Sequence, residues 1–116
     1  MSKPQISIRV RIMTGDMRAM GPGKADLLQH IDETGSISSG AKAMKMSYRR
    51  AWQLVEEMNS AFRAPLVETS AGGKGGGGAA LTPMGREVLA LYRDMENAVQ
   101  READARFAAF RKRLKS

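Results

Sequence analysis

A chain of 116 residues and 12.6 kDa is one domain's worth of polypeptide, which argues against a two-domain enzyme. With no cysteine and a single histidine, His30, it has no means to form disulfides, thiolate nucleophiles, iron–sulfur clusters or the ordinary zinc ligand sets, and no cofactor is expected. Nineteen Lys and Arg against twelve Asp and Glu give a formal net charge of +7 and a pI near 10.3, so a polyanionic partner is expected; the absence of a long apolar run or signal-peptide pattern predicts a cytoplasmic protein with no membrane partner.

The first segment alternates strictly, with Ile6, Ile8, Val10 and Ile12 on one face and Ser7, Arg9 and Arg11 on the other, which predicts a half-buried strand. Thr14, Gly15 and Asp16 supply turn chemistry, and Met17 to Met20 can return as the second strand of a hairpin. After Gly21-Pro22-Gly23, Leu27, Leu28 and Ile31 recur at helical spacing up to Gly35, predicting a helix over 24–34 that stops at a C-terminal glycine. Ser36 can cap a second, short helix whose Gly40, Ala41 and Ala43 allow close approach of a neighbour. Met44-Lys45-Met46 forms the break before Ser47, which reads as the N-cap of a third helix with Ala51, Trp52, Val55, Met58 and Phe62 as its apolar stripe.

Pro65 ends that helix and opens PLVETS, which reads as a strand. GGKGGGG, from Gly72 to Gly78, holds six of the twelve glycines, and AALT is a short return strand, so a hairpin with a flexible tip is expected. From Pro83 to about Leu114 there is no further proline, and Val88, Tyr92, Met95, Val99, Ala103, Phe107, Phe110 and Leu114 step by four or three. A helix of about 32 residues would run roughly 48 Å, longer than a small core needs, so its excess seeks a partner.

The resulting order of strand or hairpin, helix, short helix, turn, helix, hairpin and long helix is that of a winged helix-turn-helix, a mainly α fold with a small β-sheet. Residues 1–82 form the expected DNA-binding domain and 83–116 the expected dimerisation helix. Charge agrees: between Thr34 and Val55 there is no acidic residue, while Lys42, Lys45, Arg49 and Arg50 lie there. Phosphates reward such cations without sequence information, and a helix N-terminus in the major groove brings side chains to base edges. With Ala51, Trp52 and Val55 assigned to the core, Ser36, Ser38, Lys42, Lys45, Ser47, Tyr48, Arg49, Arg50 and Gln53 are the candidate DNA contacts. Arg is suited to guanine and Gln to adenine, while Ser47 and Tyr48 fit phosphates better.

Gly73, Gly75 and Gly78 match GxGxxG in letters, but a short strand follows where a dinucleotide site needs a helix. As the tip of a wing the run makes sense, with Lys74, Gly75 and Gly76 against a sugar-phosphate chain. His30 reads as a structural or surface residue, and the pairs Asp32-Glu33 and Glu56-Glu57 as solvated helix faces. No catalytic constellation rises above background, so an enzyme is not expected.

The run GPGKADLLQHIDETGSISSGAKAMKMSYRRAWQLVEEMN, followed by PLVETSAGGKGGGGAALTPMGREVLALYR, closely resembles the N-terminal DNA-binding domain of ModE-type molybdate-responsive regulators, itself similar to the winged helix-turn-helix of LysR-type regulators. The resemblance implies a dimer with Ser36 to Ala43 as the first helix of the motif, Ser47 to Ala61 as the recognition helix, Gly72 to Ala79 as the wing, and dimerisation through the last helix. There the expected dimer residues are Val88, Tyr92, Met95, Val99, Phe107 and Phe110. The family usually carries Ala-Ala where Gly40 and Ala41 stand here. Full-length members add a C-terminal molybdate-binding module that these residues do not include, so molybdate binding is not implied for them. Expected partners are therefore double-stranded DNA and a second copy of the chain, with a separate sensor protein on the long helix as the alternative. The terminal RKRLK is either a solubilising end or a further phosphate contact.

Overall fold

A computed structural model describes residues 3–73 and 76–115. The elements run β1 (Ile12–Thr14), β2 (Met17–Met20), α1 (Pro22–Thr34), α2 (Ile37–Ala43), α3 (Tyr48–Ala61), β3 (Val67–Gly73), β4 (Gly76–Leu81) and α4 (Pro83–Arg111). The two strand pairs form separate antiparallel hairpins. This is the expected winged helix-turn-helix with a long final helix.

Local chemistry sets most boundaries as expected. Ser36 Oγ accepts from the Ser39 amide at 3.0 Å and Ser47 Oγ from the Arg50 amide at 3.0 Å, which satisfies donors that a helix start leaves open. Gly35 ends α1 in the left-handed region at φ 81°, where a side chain would be strained. Pro22 stands at the first position of α1, so that helix begins two residues before the expected start; the ring pre-sets φ there.

The core joins Leu27, Leu28 and Ile31 of α1 to Ala51, Val55 and Met58 of α3, closed by Met20, Leu66, Leu81 and Tyr92. Gly40 is buried where α2 crosses α1, and a Cβ there would stand 3.0 Å from Ile31 Cγ1. Gly85 is more constrained, since a Cβ would fall 2.1 Å from the Leu66 carbonyl oxygen; the start of α4 thus lies directly on the entry to the wing.

Three expectations need correction. The strand expected over 6–12 forms hydrogen-bonded pairs only from Ile12 onward; residues 3–11 are an arm whose alternation survives as half-buried Ile6, Ile8 and Val10 and exposed Ser7, Arg9 and Arg11. Its partner is a helix: the Tyr92 hydroxyl of α4 donates to the Val10 carbonyl at 2.6 Å, and Ile6 lines a groove with Ala103, Phe107 and Phe110. Trp52 is not a core anchor, for it is 38% exposed while Leu54 is buried in the apolar face of α3. Tyr92, expected on a dimer face, is 1% exposed within its own chain.

Surface area carries the shape. A compact protein of this mass would expose about 6,200 Å². The chain exposes 8,195 Å² and measures 59 × 33 × 23 Å, because the far half of α4 projects from the core.

Candidate nucleic-acid interface

The helix-turn-helix is built on α2 and α3. Ile37, Gly40 and Ala41 bury one side of α2, leaving Ser38 and Lys42 exposed and Ser36 half-buried at its cap. The turn between the helices places Lys45 at φ 56°, the only non-glycine residue with positive φ among the described residues. Such a backbone costs a non-glycine residue roughly 1 to 2 kcal/mol, and it is held here by the Lys45 and Met46 amides donating to the Lys42 and Ala41 carbonyls at 3.1 and 3.0 Å.

On α3 the buried set Ala51, Leu54, Val55 and Met58 fixes the direction of every other side chain. At 100° per residue, Arg49, Gln53 and Glu56 occupy the middle of the outward face, all exposed. Arg50 and Glu57 lie on one flank, and Tyr48 and Trp52 on the other, with Tyr48 56% exposed. The first turns of α3 therefore present cations, an amide and two aromatic rings, and the acids begin only at Glu56.

Each flank is tied to another part of the fold. Asn59, on the Trp52 side, clamps the start of β3: its Oδ1 accepts from the amides of Leu66 and Val67 at 2.8 and 3.1 Å, and its Nδ2 donates to the Val67 carbonyl at 3.1 Å. The return strand is pinned in turn, with the Ala79 amide donating to the Gly35 carbonyl at 2.8 Å and the Gly78 amide to Ser70 Oγ at 3.2 Å. The hairpin is thus placed as a wing, although Lys74 and Gly75 lie outside the described residues and Gly76 is described only as the first residue of β4. On the Arg50 side, Glu57 is not merely solvated, because it accepts from the buried ammonium of Lys24 at 3.0 Å.

Sequence reasoning missed Trp52 as a surface residue, and it did not foresee the pairing of Lys24 with Glu57. The spacing of Tyr48 and Trp52, four apart, was the available signal for an exposed aromatic pair. At the far end of the domain, Met95, Val99 and Phe110 are exposed on α4, Phe107 is half-buried and stacks at 6.3 Å on Phe110, and Val88 packs against the core. Among the described residues no helix is long and apolar enough to cross a membrane.

Comparison with known proteins agrees with this geometry. The profile of the family described as "Bacterial regulatory helix-turn-helix protein, lysR family" matches residues 24–86, from the first turn of α1 to the start of α4 and more than half of the chain. Over 82 residues, 71% of the chain, it is 46% identical to the DNA-binding transcriptional dual regulator ModE of Escherichia coli K12. It is 45% identical over 80 residues to the molybdenum-pterin-binding protein MopB of Rhodobacter capsulatus, and 36% identical over 104 residues to the molybdenum transport protein ModE of Azotobacter vinelandii. These alignments span only 30% to 38% of the relatives' own lengths. The first of these relatives is named as a DNA-binding transcriptional regulator, the other two by molybdenum–pterin binding and molybdenum transport. By its fold, the exposed basic first turns of α3 and the extent of the match, the chain belongs to the lysR family of bacterial regulatory helix-turn-helix proteins.

Proposed function

We propose that this chain is the DNA-reading part of a sequence-specific transcription regulator that works in the cytoplasm as a homodimer. The observation that carries this reading is the acid-free outward face of the first turns of α3, where Arg49 and Gln53 are exposed and held in direction by a fully packed opposite face. Arg49 and Gln53 read base edges in the major groove, Ser36, Ser38, Lys42, Lys45, Ser47 and Tyr48 hold phosphates, and the wing with Lys74, Gly75 and Gly76 lies on the backbone or minor groove. Trp52 adds an apolar surface of the kind that meets thymine methyl groups.

The exposed Met95, Val99 and Phe110 support dimerisation through α4, as does a surface about 2,000 Å² larger than a compact monomer of this mass needs. Two recognition helices then read half-sites about 34 to 36 Å apart on a palindrome. The same exposed face supports a second reading, in which α4 docks a separate sensor protein.

Selection of bound sequences from random duplex DNA tests the proposal. The expected result is a palindromic motif, with log Kd against log salt rising at a slope of at least about 4. Arg49→Ala should weaken binding by about 1 to 3 kcal/mol and relax preference at one base position. Recovery of no motif, or an affinity insensitive to salt, would overturn it.

A further inference from the structure

The Arg50 flank of α3 faces a cleft of about 350 Å³ between the N-terminal arm, β2, the start of α1 and α3. Arg9 and Arg11 enter it from the arm, Arg18 from β2 and Arg50 from α3. Their grouping follows from backbone periodicity: Val10 is tethered to Tyr92 at 2.6 Å and half-buried, so the residues on either side of it turn outward together. The cleft's carboxylate, Glu57, is already engaged by Lys24, a residue only 7% exposed whose ammonium also donates to the Arg18 carbonyl at 2.5 Å. None of the four guanidinium groups has a carboxylate partner among the described residues. Four like charges around one concavity repel one another unless an anion lies among them. The first turn of α1, which opens into the same cleft without an acidic residue, adds to the positive potential.

We propose that this cleft is a second phosphate seat for duplex DNA, holding the sugar-phosphate chain on one side of the groove that α3 enters. This rests on the reading of α3 as the recognition helix. A helix in a major groove about 12 Å wide has a phosphate chain along each flank, and one of its flanks here is this cleft. Continuity also favours DNA, since Arg50 belongs to the cleft and to the same helical turn as Arg49. All four arginines are exposed, which suits a polymer lying across their heads better than a small anion enclosed among them. The seat makes the footprint longer than the helix-turn-helix alone would give, and it adds affinity without adding base preference.

The test compares the wild-type chain with an Arg9→Gln, Arg11→Gln, Arg18→Gln variant on one duplex at 50 to 200 mM salt. Loss of three phosphate contacts lowers the salt slope by about 2.7 and removes roughly 40-fold of the affinity change over that range, with base preference intact. In parallel, wild-type protein is bound to duplexes bearing single methylphosphonates beside the α3 footprint. A run of neutralised phosphates that weakens binding on one flank supports the seat, whether or not the variant folds. An unchanged slope in the folded variant, or methylphosphonates without effect, overturns it. So does binding of inorganic phosphate or molybdate that the triple variant abolishes while its DNA slope stays unchanged, because the ligand is then a free oxyanion. If the wild-type chain shows no base preference, the recognition-helix reading fails. A slope lowered in the variant on any duplex still upholds the seat.

Discussion

The two halves of α4 carry one apolar stripe but live in different surroundings. In the first half, Gly85 lies against Leu66, Tyr92 is buried under the arm, and Arg93 forks between Asp26 and Gln29 of α1, each at 2.8 Å, with Glu96 at 2.9 Å on its other nitrogen. Burial works to lower the Arg93 pKa, but the hydrogen bonds it donates to Asp26 and Glu96 outweigh it and hold the pKa above its ordinary value. In the second half Val99 and Phe110 are exposed, and polar side chains pair within the helix, Gln100 with Asp104 and Arg106 with Glu102. A periodic stripe therefore says that a helix has a face to cover, but not whether its own core or another molecule covers it.

Three experiments can break or sharpen that contrast. The largest effect belongs to the second half: Val99→Glu with Phe110→Glu should convert dimer to monomer in sedimentation and weaken binding to a palindrome by about 100- to 10,000-fold, the usual gain from linked sites. Half-site affinity should stay the same, and a variant that keeps the wild-type mass and affinity would remove α4 from the dimer interface. Next is the first half, where Gly85→Ala drives a methyl group into the Leu66 carbonyl and should cost about 3 kcal/mol in urea unfolding. Ala108→Gln, on the exposed half, should stay within about 0.5 kcal/mol. Equal costs would mean the two halves are equally packed.

The smallest effect is a pH dependence. Burial, reinforced by the neighbouring Glu96 carboxylate, pushes the Tyr92 phenol up from 10.0 to about 12. Because the folded value lies above the unfolded one, its contribution is complete below pH 10 and is lost as pH rises toward 12, on the order of 2 kcal/mol. Urea midpoints of wild type and Tyr92→Phe should diverge below pH 10 and converge above it. Parallel pH profiles would show that Tyr92 is not buried as described.

Element order, the Ser36 and Ser47 caps, the stop at Gly35 and the acid-free stretch were all legible in the sequence, because each is set by a few neighbouring residues. The misreadings have a common cause in contacts between distant segments. Trp52 looked like a core residue on hydrophobicity, yet it lies farther round α3 from the centre of Ala51, Val55 and Met58 than Leu54 does. The arm alternates like a strand, but nothing local says that its partner is a helix. Arg9 and Arg11 read as the outer face of a strand and Arg18 as part of a return strand, and nothing local says that the fold brings all three beside Arg50.

The bond from Tyr92 to Val10 spans 82 positions of chain. Closing so long a loop is entropically slow compared with the neighbouring contacts of α1, α2 and α3. The helix-turn-helix can therefore assemble early from local contacts, whereas the arm settles only once α4 has docked. Arg9 and Arg11 flank that bond, so the cleft they share with Arg50 at the front of the fold depends on a helix that the chain supplies last.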